Sequence, residues 1–163
     1  MTGIGLSQGW RFVCRGLLAG ILLGGCSRQA EVPPEDRIKA LLDAAEVAVE
    51  RRSLDASAKL ISFNYTDEAG RDHKALKRLL MGYFLRHKSI HVLKQILEIS
   101  LLNNSSARVV LYAGVAGNRP DRDDSLAQWR GDLIRLEAEL ILEDDDWRLL
   151  SASWRRASAG ELL

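Results

Sequence analysis

The stretch IRLEAELILEDDDWRLLSASW, residues 134–154, decides the fold. Through its first half, the apolar residues Ile134, Leu136, Ala138, Leu140 and Leu142 alternate with Arg135, Glu137, Glu139 and Ile141. This period of two is typical of a strand with one buried face. The three aspartates at 144–146 then predict a turn, and Trp147–Trp154 predicts the returning strand. The stretch therefore predicts an antiparallel hairpin.

Upstream of the hairpin, the pattern predicts another strand. Apolar residues alternate from Ala107 to Val115, and the polar residues 117–126, GNRPDRDDSL, predict a loop after it. The segment Ile90–Leu101 fits a strand and a helix equally well, because its apolar residues satisfy both periods. Periodicity alone leaves that segment open.

The N-terminal half carries helical patterns instead. Pro34 suits a first helical position, and apolar residues recur at helical spacing up to about Arg52. Ser53 can cap a second, shorter helix that carries Leu54, Ala58 and Ile61. A third helix is predicted to begin near Arg71 or Asp72, with one face formed by Leu76, Leu79, Leu80 and Tyr83. Helices followed by antiparallel strands predict an α+β fold.

This element order resembles the nuclear transport factor 2-like superfamily. The resemblance is carried by ERRSLDASAKLISFNYTDEAG, residues 50–70, which leads into the third helix, and by the last hairpin, DDDWRLLSASW. It implies a cystatin-like cone, in which N-terminal helices pack in the concavity of a curved antiparallel β-sheet. The cone would span residues 35–157, with residues 158–163 as a tail. The resemblance also implies that Ile90–Leu101 is a strand, and that a pocket lies between the third helix and the sheet.

Some proteins that the chain resembles in fold, the ketosteroid isomerases and polyketide cyclases, place an Asp near this pocket as a base. That resemblance makes Asp67 a catalytic candidate, with His87 and Tyr65 as further candidates. Asp67 and His87 also have structural interpretations, since Asp67 can stabilise its own turn and His87 can end the third helix. No Tyr and Asp pair matches the isomerases by position. The predicted pocket residues are Tyr83, Phe84, His87, Tyr112 and Trp154.

Composition argues against several other kinds of site. The histidines His73, His87 and His91 come without an HExxH pattern, which disfavours a metal site. Nucleophile motifs and glycine-rich phosphate loops are missing from the sequence, so no cofactor is predicted. Basic and acidic residues nearly balance, with a formal net charge of +1. The absence of a basic excess argues against nucleic acid as a partner.

Residues 1–25 have the pattern of an export signal. Arg11 and Arg15 flank an apolar core, Gly16 to Leu23, that is far shorter than the ~20 residues of a membrane-spanning helix. Small residues close this core. The pattern is compatible with an ordinary signal followed by an incidental cysteine, or with a short membrane anchor.

The stretch LLGGCS, residues 22–27, resembles the lipobox of bacterial lipoproteins. The resemblance implies cleavage before Cys26, a diacylglycerol thioether on its sulfur, and residues 26–34 as a lipidated tether. Ser27 in place of Asp implies the periplasmic face of the outer membrane in a Gram-negative cell.

The expected function is a lipid-anchored periplasmic binding or accessory domain. It would present a pocket or a sheet face to a small apolar ligand or a protein partner. One alternative is an isomerase, dehydratase or cyclase that uses an Asp or His base. The other is a structural lipoprotein that forms a homodimer through its sheet.

Overall fold

A computed structural model describes residues 32–117 and 132–162 of the chain. Cys26, the export pattern and most of the predicted loop 117–126 lie outside the described residues. The helices and strands in chain order are α1 Pro34–Glu50, α2 Leu54–Lys59, α3 His73–Arg86, β1 His91–Asn103, β2 Ser106–Ala116, β3 Asp132–Glu143 and β4 Asp146–Arg156. A short 3₁₀ helix, Ala159–Leu162, follows them. The predicted α+β fold class is confirmed.

The helices begin where capping chemistry predicts. Pro34 opens α1, with Glu35 and Asp36 in its first turn, where the helix dipole favours anions. The Ser53 side chain accepts a hydrogen bond from Ala56 N at 3.3 Å, which caps α2. The Asp72 carboxylate caps α3 in the same way, accepting from Ala75 N at 2.7 Å.

One predicted helical residue lies outside its helix. Helix α2 ends at Lys59, and Ile61 forms an isolated parallel bridge with Leu149 of β4. The bridge is supported by Leu149 N, which donates to Leu60 O at 2.9 Å, and by Ser62 N, which donates to Leu149 O at 2.9 Å. The spacing of apolar residues predicted a helical Ile61, but its backbone pairs with the edge strand of the sheet instead.

The four strands form one antiparallel sheet in the order β1-β2-β3-β4. The segment that periodicity left open is strand β1, as the resemblance implied. The predicted hairpin is β3 and β4, with Leu136 opposite Trp154 and Ala138 opposite Ala152. An irregularity between Glu139 and Leu140 then shifts the register, so that Leu149 rather than Leu150 faces Leu140.

The two faces of the sheet differ sharply. The concave face is apolar, and its buried core consists of Ile38 of α1 with Ala107, Val109, Leu111, Ala113, Ala138, Leu140 and Trp147 of the strands. The convex face carries ion pairs, among them Arg108 with Glu139 at 3.6 Å. Helix α1 is fixed to the concave side by Lys94, whose Nζ pairs with Asp43 at 2.7 Å and with Glu46. The helices therefore occupy the concavity.

The segment after β4, predicted as a tail, is connected to the sheet through Glu161. Tyr112 on the convex face donates to the Glu161 carbonyl oxygen at 3.3 Å, and Arg155 pairs with the Glu161 carboxylate at 2.6 Å. The hydrogen bond from Arg155 is the main reason that the pKa of Glu161 falls to about 2. This docking covers Tyr112.

Within the described ranges, no helix is both long and apolar enough to cross a membrane.

Candidate functional site

A cavity of about 370 Å³ lies between the helices and the concave face of the sheet. Its wall comes from all three helices, from the segment after α2, and from strands β3 and β4. The lining residues are Leu41, Leu42, Ala45, Val49, Ser57, Leu60, Ile61, Tyr65, Leu76, Leu79, Leu80, Ile134, Leu136, Ala138, Leu140, Leu149, Ala152 and Trp154. Leu79 and Trp154 are about two-fifths exposed and form its rim. The predicted position of a pocket, between α3 and the sheet, is confirmed.

The wall of the cavity contains three side chains with polar atoms, Ser57, Tyr65 and Trp154, and the hydroxyls of the first two are already hydrogen-bonded. The Ser57 hydroxyl donates to the Ser53 carbonyl oxygen at 2.8 Å, back along its own helix. The Tyr65 hydroxyl donates to the Asp67 carboxylate at 3.1 Å. Apart from the indole N–H of Trp154 at the rim, the wall thus offers a ligand apolar surface in which the hydroxyls of Ser57 and Tyr65 are already paired.

The catalytic candidate Asp67 lies in the Asp67 turn, which we define as Tyr65–Arg71. Its Oδ1 accepts hydrogen bonds from Ala69 N and Arg71 N, each at 3.0 Å. Its Oδ2 accepts from Arg71 Nε at 2.7 Å and from the Tyr65 hydroxyl. Gly70, at φ +69°, allows the chain to reverse here. Asp67 is 8% exposed and is not part of the cavity wall.

The ionisation of this turn follows from its hydrogen bonds. Burial acts to raise the pKa of Asp67, but the hydrogen bonds from Arg71 and Tyr65 outweigh it and lower the pKa. The pKa of Tyr65 is raised, first by burial and then by its hydrogen bond to Asp67. Asp67 is therefore a carboxylate with four donors, which leaves it poorly suited to accept a proton from a substrate.

His87 and Tyr83 lie away from the cavity. His87 ends α3, as one of its two interpretations predicted, and its ring packs on Tyr83 with centroids 4.2 Å apart. Arg52 also donates to the His87 carbonyl oxygen at 3.1 Å. Neither aromatic ring is among the cavity-lining residues.

Of the five predicted pocket residues, Trp154 lines the cavity. Phe84 is buried in α3 outside the cavity wall. Tyr112 belongs to the opposite face of the sheet, where it packs with Leu133 beneath the C-terminal segment. Tyr112 lies on this face because side chains alternate along its strand and the neighbouring Leu111 takes the concave side. Contact between Trp154 and a ligand stays a prediction.

Sequence reasoning missed most of the cavity wall. The α1 residues Leu41, Leu42, Ala45 and Val49 form a helical stripe, and Leu136 and Leu149 belong to alternating strands. These patterns predict a helix and strands with a buried face, and they do not indicate a cavity. Periodicity identifies the buried face of an element, but packed and cavity-lining residues have the same pattern.

Among the residues that the structure describes, no group of three or more His, Cys, Asp or Glu side chains could hold a metal ion. The three histidines also separate into different surroundings. His73 contacts Ala58 O at 3.5 Å, His87 stacks on Tyr83, and His91 begins β1.

Comparison with solved structures establishes the fold. A domain of unknown function from Nostoc punctiforme, with a cystatin-like fold, matches with a TM-score of 0.57 at 17% identity, covering 76% of each chain. The fold is the cystatin-like cone of the nuclear transport factor 2-like proteins. A proposed dehydratase of the nuclear transport factor 2-like family from Streptomyces avermitilis matches with a TM-score of 0.61 at 15% identity, over 76% of this chain and 95% of its own.

A proposed scytalone dehydratase from Novosphingobium aromaticivorans shares the cone, with a TM-score of 0.60 at 14% identity, over 76% of this chain and 83% of its own. No family model matches the sequence, and no curated protein matches it significantly. At these identities the cone is shared, while the chemistry in its concavity must be judged from this chain's own residues.

Proposed function

We propose that this chain is a lipid-anchored binding domain that holds a small apolar ligand in the cavity of its cone. The observation that carries the proposal is a cavity of about 370 Å³ with a mainly apolar wall. The hydroxyls of Ser57 and Tyr65 in that wall are already hydrogen-bonded within the protein. A volume of this size lies in the range of roughly 300–1,000 Å³ typical of small-molecule sites.

The energetics define the class of ligand. Removing apolar surface from water stabilises a complex by roughly 25 cal/mol per Å², so a ligand that buries roughly 200 Å² gains about 5 kcal/mol. A polar group placed in this cavity away from Trp154 would lose its water without gaining a side-chain partner, at a cost of about 1–3 kcal/mol. The ligand is therefore predominantly apolar, such as an aromatic hydrocarbon skeleton or a short acyl chain.

The alternative of an isomerase, dehydratase or cyclase is favoured by the descriptions of two structural neighbours. An enzyme of this kind needs a base within reach of the substrate proton. Asp67 lies outside the cavity wall with its four hydrogen bonds made, and His87 lies against Tyr83. The geometry therefore supports binding better than proton transfer.

A fluorescence titration tests the binding site. The probe is N-phenyl-1-naphthylamine, a neutral apolar dye that becomes fluorescent when it leaves water. The full chain should bind it saturably, and Ala152→Phe should weaken binding on the order of tenfold or more, because the new ring occupies the cavity.

The matched control is Ser153→Phe, which adds the same ring one residue later on the convex side of β4. It should bind the dye like the unmodified chain. Absence of dye binding by the unmodified chain, or equal weakening by both variants, would contradict the proposal.

The anchor is the second part of the proposal. It is supported by the basic flank, the short apolar core and the lipobox resemblance at Leu23-Gly24-Gly25-Cys26. Several acyl chains on one residue hold a protein to a bilayer firmly, since each buried methylene contributes about 0.8 kcal/mol. With Ser27 next to the lipid, the proposed site is the periplasmic face of the outer membrane.

Processing in cells tests the anchor separately from the cavity. Cys26→Ala, or treatment with globomycin, should leave the precursor uncleaved and change its mass and its detergent partitioning. A mature product of unaltered mass under either condition would contradict lipidation. A tagged protein found exclusively in inner-membrane vesicles would contradict the outer-membrane assignment.

A further inference from the structure

The outward face of α3 carries an unusual combination of side chains. Lys74, Arg78, Met81 and Leu85 recur at spacings of four, three and four residues, so they lie on one face of the helix. All four are exposed, Met81 by 44% and Leu85 by 81%. We call this face the α3 stripe. Its length, from Lys74 to Leu85, is about 17 Å at a rise of about 1.5 Å per residue.

The sequence of α3 and of the residues that follow it is basic. From His73 to Ser89 the sequence has five Lys and Arg residues and no Asp or Glu, although basic and acidic residues nearly balance over the whole chain. Lys77 of α3 forms an ion pair with Asp55 at 3.9 Å, whereas within the described ranges Lys74 and Arg78 form none. The cations of the stripe thus have no protein carboxylate there to neutralise them.

Packing leaves the stripe outside the core of the domain. Helix α3 directs Leu76 and Leu80 inward, against Tyr65, Leu136 and Ala152. Met81 and Leu85 belong to none of the buried clusters and remain in contact with water. Among the residues described, these two apolar side chains are therefore not packed in the core. Contact with an external surface would remove them from water.

We propose that the α3 stripe docks on an anionic phospholipid surface, with Lys74 and Arg78 at the headgroups and Met81 and Leu85 inserted between them. Exposed cations beside exposed apolar side chains on a helix are typical of interfacial membrane binding. The positive charge complements anionic lipid, and the stripe is a helix face rather than a groove that would receive a peptide. Docking of this kind needs no lipid on Cys26, and it would orient the domain when that anchor is present.

Vesicle binding tests the charge contribution. The full chain with Cys26→Ser, which cannot be lipidated, is mixed with vesicles of phosphatidylcholine with or without phosphatidylglycerol. It should bind the anionic vesicles, and binding should weaken with added salt. The double variant K74Q/R78Q should bind on the order of 30-fold more weakly, since each cation near an anionic surface contributes about 1 kcal/mol.

The control double variant K39Q/R108Q removes the same formal charge elsewhere, from exposed positions on α1 and on the convex face. It should retain binding to within about threefold if position rather than net charge decides. Equal weakening by both double variants would overturn the proposal. Binding to polyglutamate without binding to anionic vesicles would indicate an acidic protein partner and would also overturn it.

A local probe tests insertion. In the full chain with both natural cysteines changed to serine, an environment-sensitive dye on Leu85→Cys should shift its emission to the blue with anionic vesicles. The same dye on Ser153→Cys, on the convex face, should not shift. An unshifted spectrum at position 85 overturns the proposal. N-phenyl-1-naphthylamine binding by K74Q/R78Q should be unchanged, so the docking surface and the cavity can fail independently.

Discussion

The cavity and the Asp67 turn share Tyr65 but are built on opposite principles. In the cavity, the ring of Tyr65 is one part of an apolar wall that surrounds unfilled space. In the turn, the hydroxyl of the same residue completes a set of four hydrogen bonds on one carboxylate. The titratable groups of the Asp67 turn therefore stabilise the fold, whereas the cavity that could hold a ligand is formed mainly by aliphatic side chains.

This comparison changes how the catalytic candidates are interpreted. Arg71 neutralises Asp67 at 2.7 Å and also lies over the ring of Trp154, 4.6 Å from its centroid, so it connects the turn to the rim of the cavity. The turn positions one wall of the cavity. Its carboxylate, Asp67, is not among the residues of that wall.

Leu140→Ala should have the strongest effect on stability. Leu140 is 2% exposed and belongs both to the buried core and to the cavity wall. Truncation should lower the free energy of unfolding by about 3 kcal/mol, because it removes buried contacts and enlarges existing space. N-phenyl-1-naphthylamine should still bind, since the wall stays apolar.

Urea unfolding and dye titration measure the two effects of Leu140→Ala. Leu102→Ala is the control, because Leu102 is 55% exposed and its truncation should change stability by less than about 0.5 kcal/mol. Loss of dye binding by folded Leu140→Ala would show that the cavity needs a defined shape rather than apolar surface alone.

Asp67→Asn should destabilise the fold next most strongly, because it removes the acceptor of both Arg71 and Tyr65. The folded-state pKa of Asp67 is lowered, so its stabilising contribution is present above the unfolded value of about 3.9 and is lost as the pH falls through the folded value. The difference in urea midpoint between the unmodified chain and Asp67→Asn should be constant from about pH 7 to 5 and shrink below about pH 4.

A catalytic or ligand-binding role for Asp67 makes a different forecast. In that case Asp67→Asn would weaken dye binding at neutral pH without a matching loss of stability. A difference in urea midpoint that does not depend on pH would contradict the ion pair as the source of the effect.

Tyr65→Phe should have a smaller effect, about 1 kcal/mol, because it removes one hydrogen bond and keeps the ring in the cavity wall. Dye affinity should stay within about twofold of the unmodified value. Thermal unfolding and the same titration measure both quantities. A large loss of dye affinity would place the Tyr65 hydroxyl in contact with the ligand.

His87→Gln should have the smallest effect. It removes a ring that packs on Tyr83 outside the cavity, a contact of about 0.5–1.5 kcal/mol, and leaves the backbone carbonyl that accepts from Arg52. Dye titration should show no change between pH 5 and 8. A pH-dependent difference in affinity between this variant and the unmodified chain would restore His87 as a residue of the site.

Much of the fold was predictable because local rules and tertiary packing agree. Alternation along β3, the acidic turn at 144–146, and the caps Ser53 and Asp72 each have a physical reason that acts within a few residues. The segment Ile90–Leu101 was not predictable in this way. Its two periods are equally good, and pairing with β2 decides between them.

The candidate site was predictable in position and in little else. Trp154 was expected at the pocket and lines it, whereas Tyr112 was expected there and lies on the opposite face, and the α1 pattern predicted only a helix. The predicted pocket residues are mainly aromatic, with large side chains and polar atoms. The cavity wall consists mainly of aliphatic residues, whose sequence signal is that of any core.

By itself, the sequence determined the α+β order, the helix starts, the last hairpin and the lack of a nucleophile or metal motif, because each depends on residues close together in the chain. Only the tertiary structure decided where space remains between the helices and the sheet, that Asp67 has its four donors, and that residues 158–162 cover Tyr112. A cavity is the volume left over when distant elements pack, and its size depends on register and on the shift at Glu139. No pattern within a few residues of sequence therefore predicts the volume of the cavity.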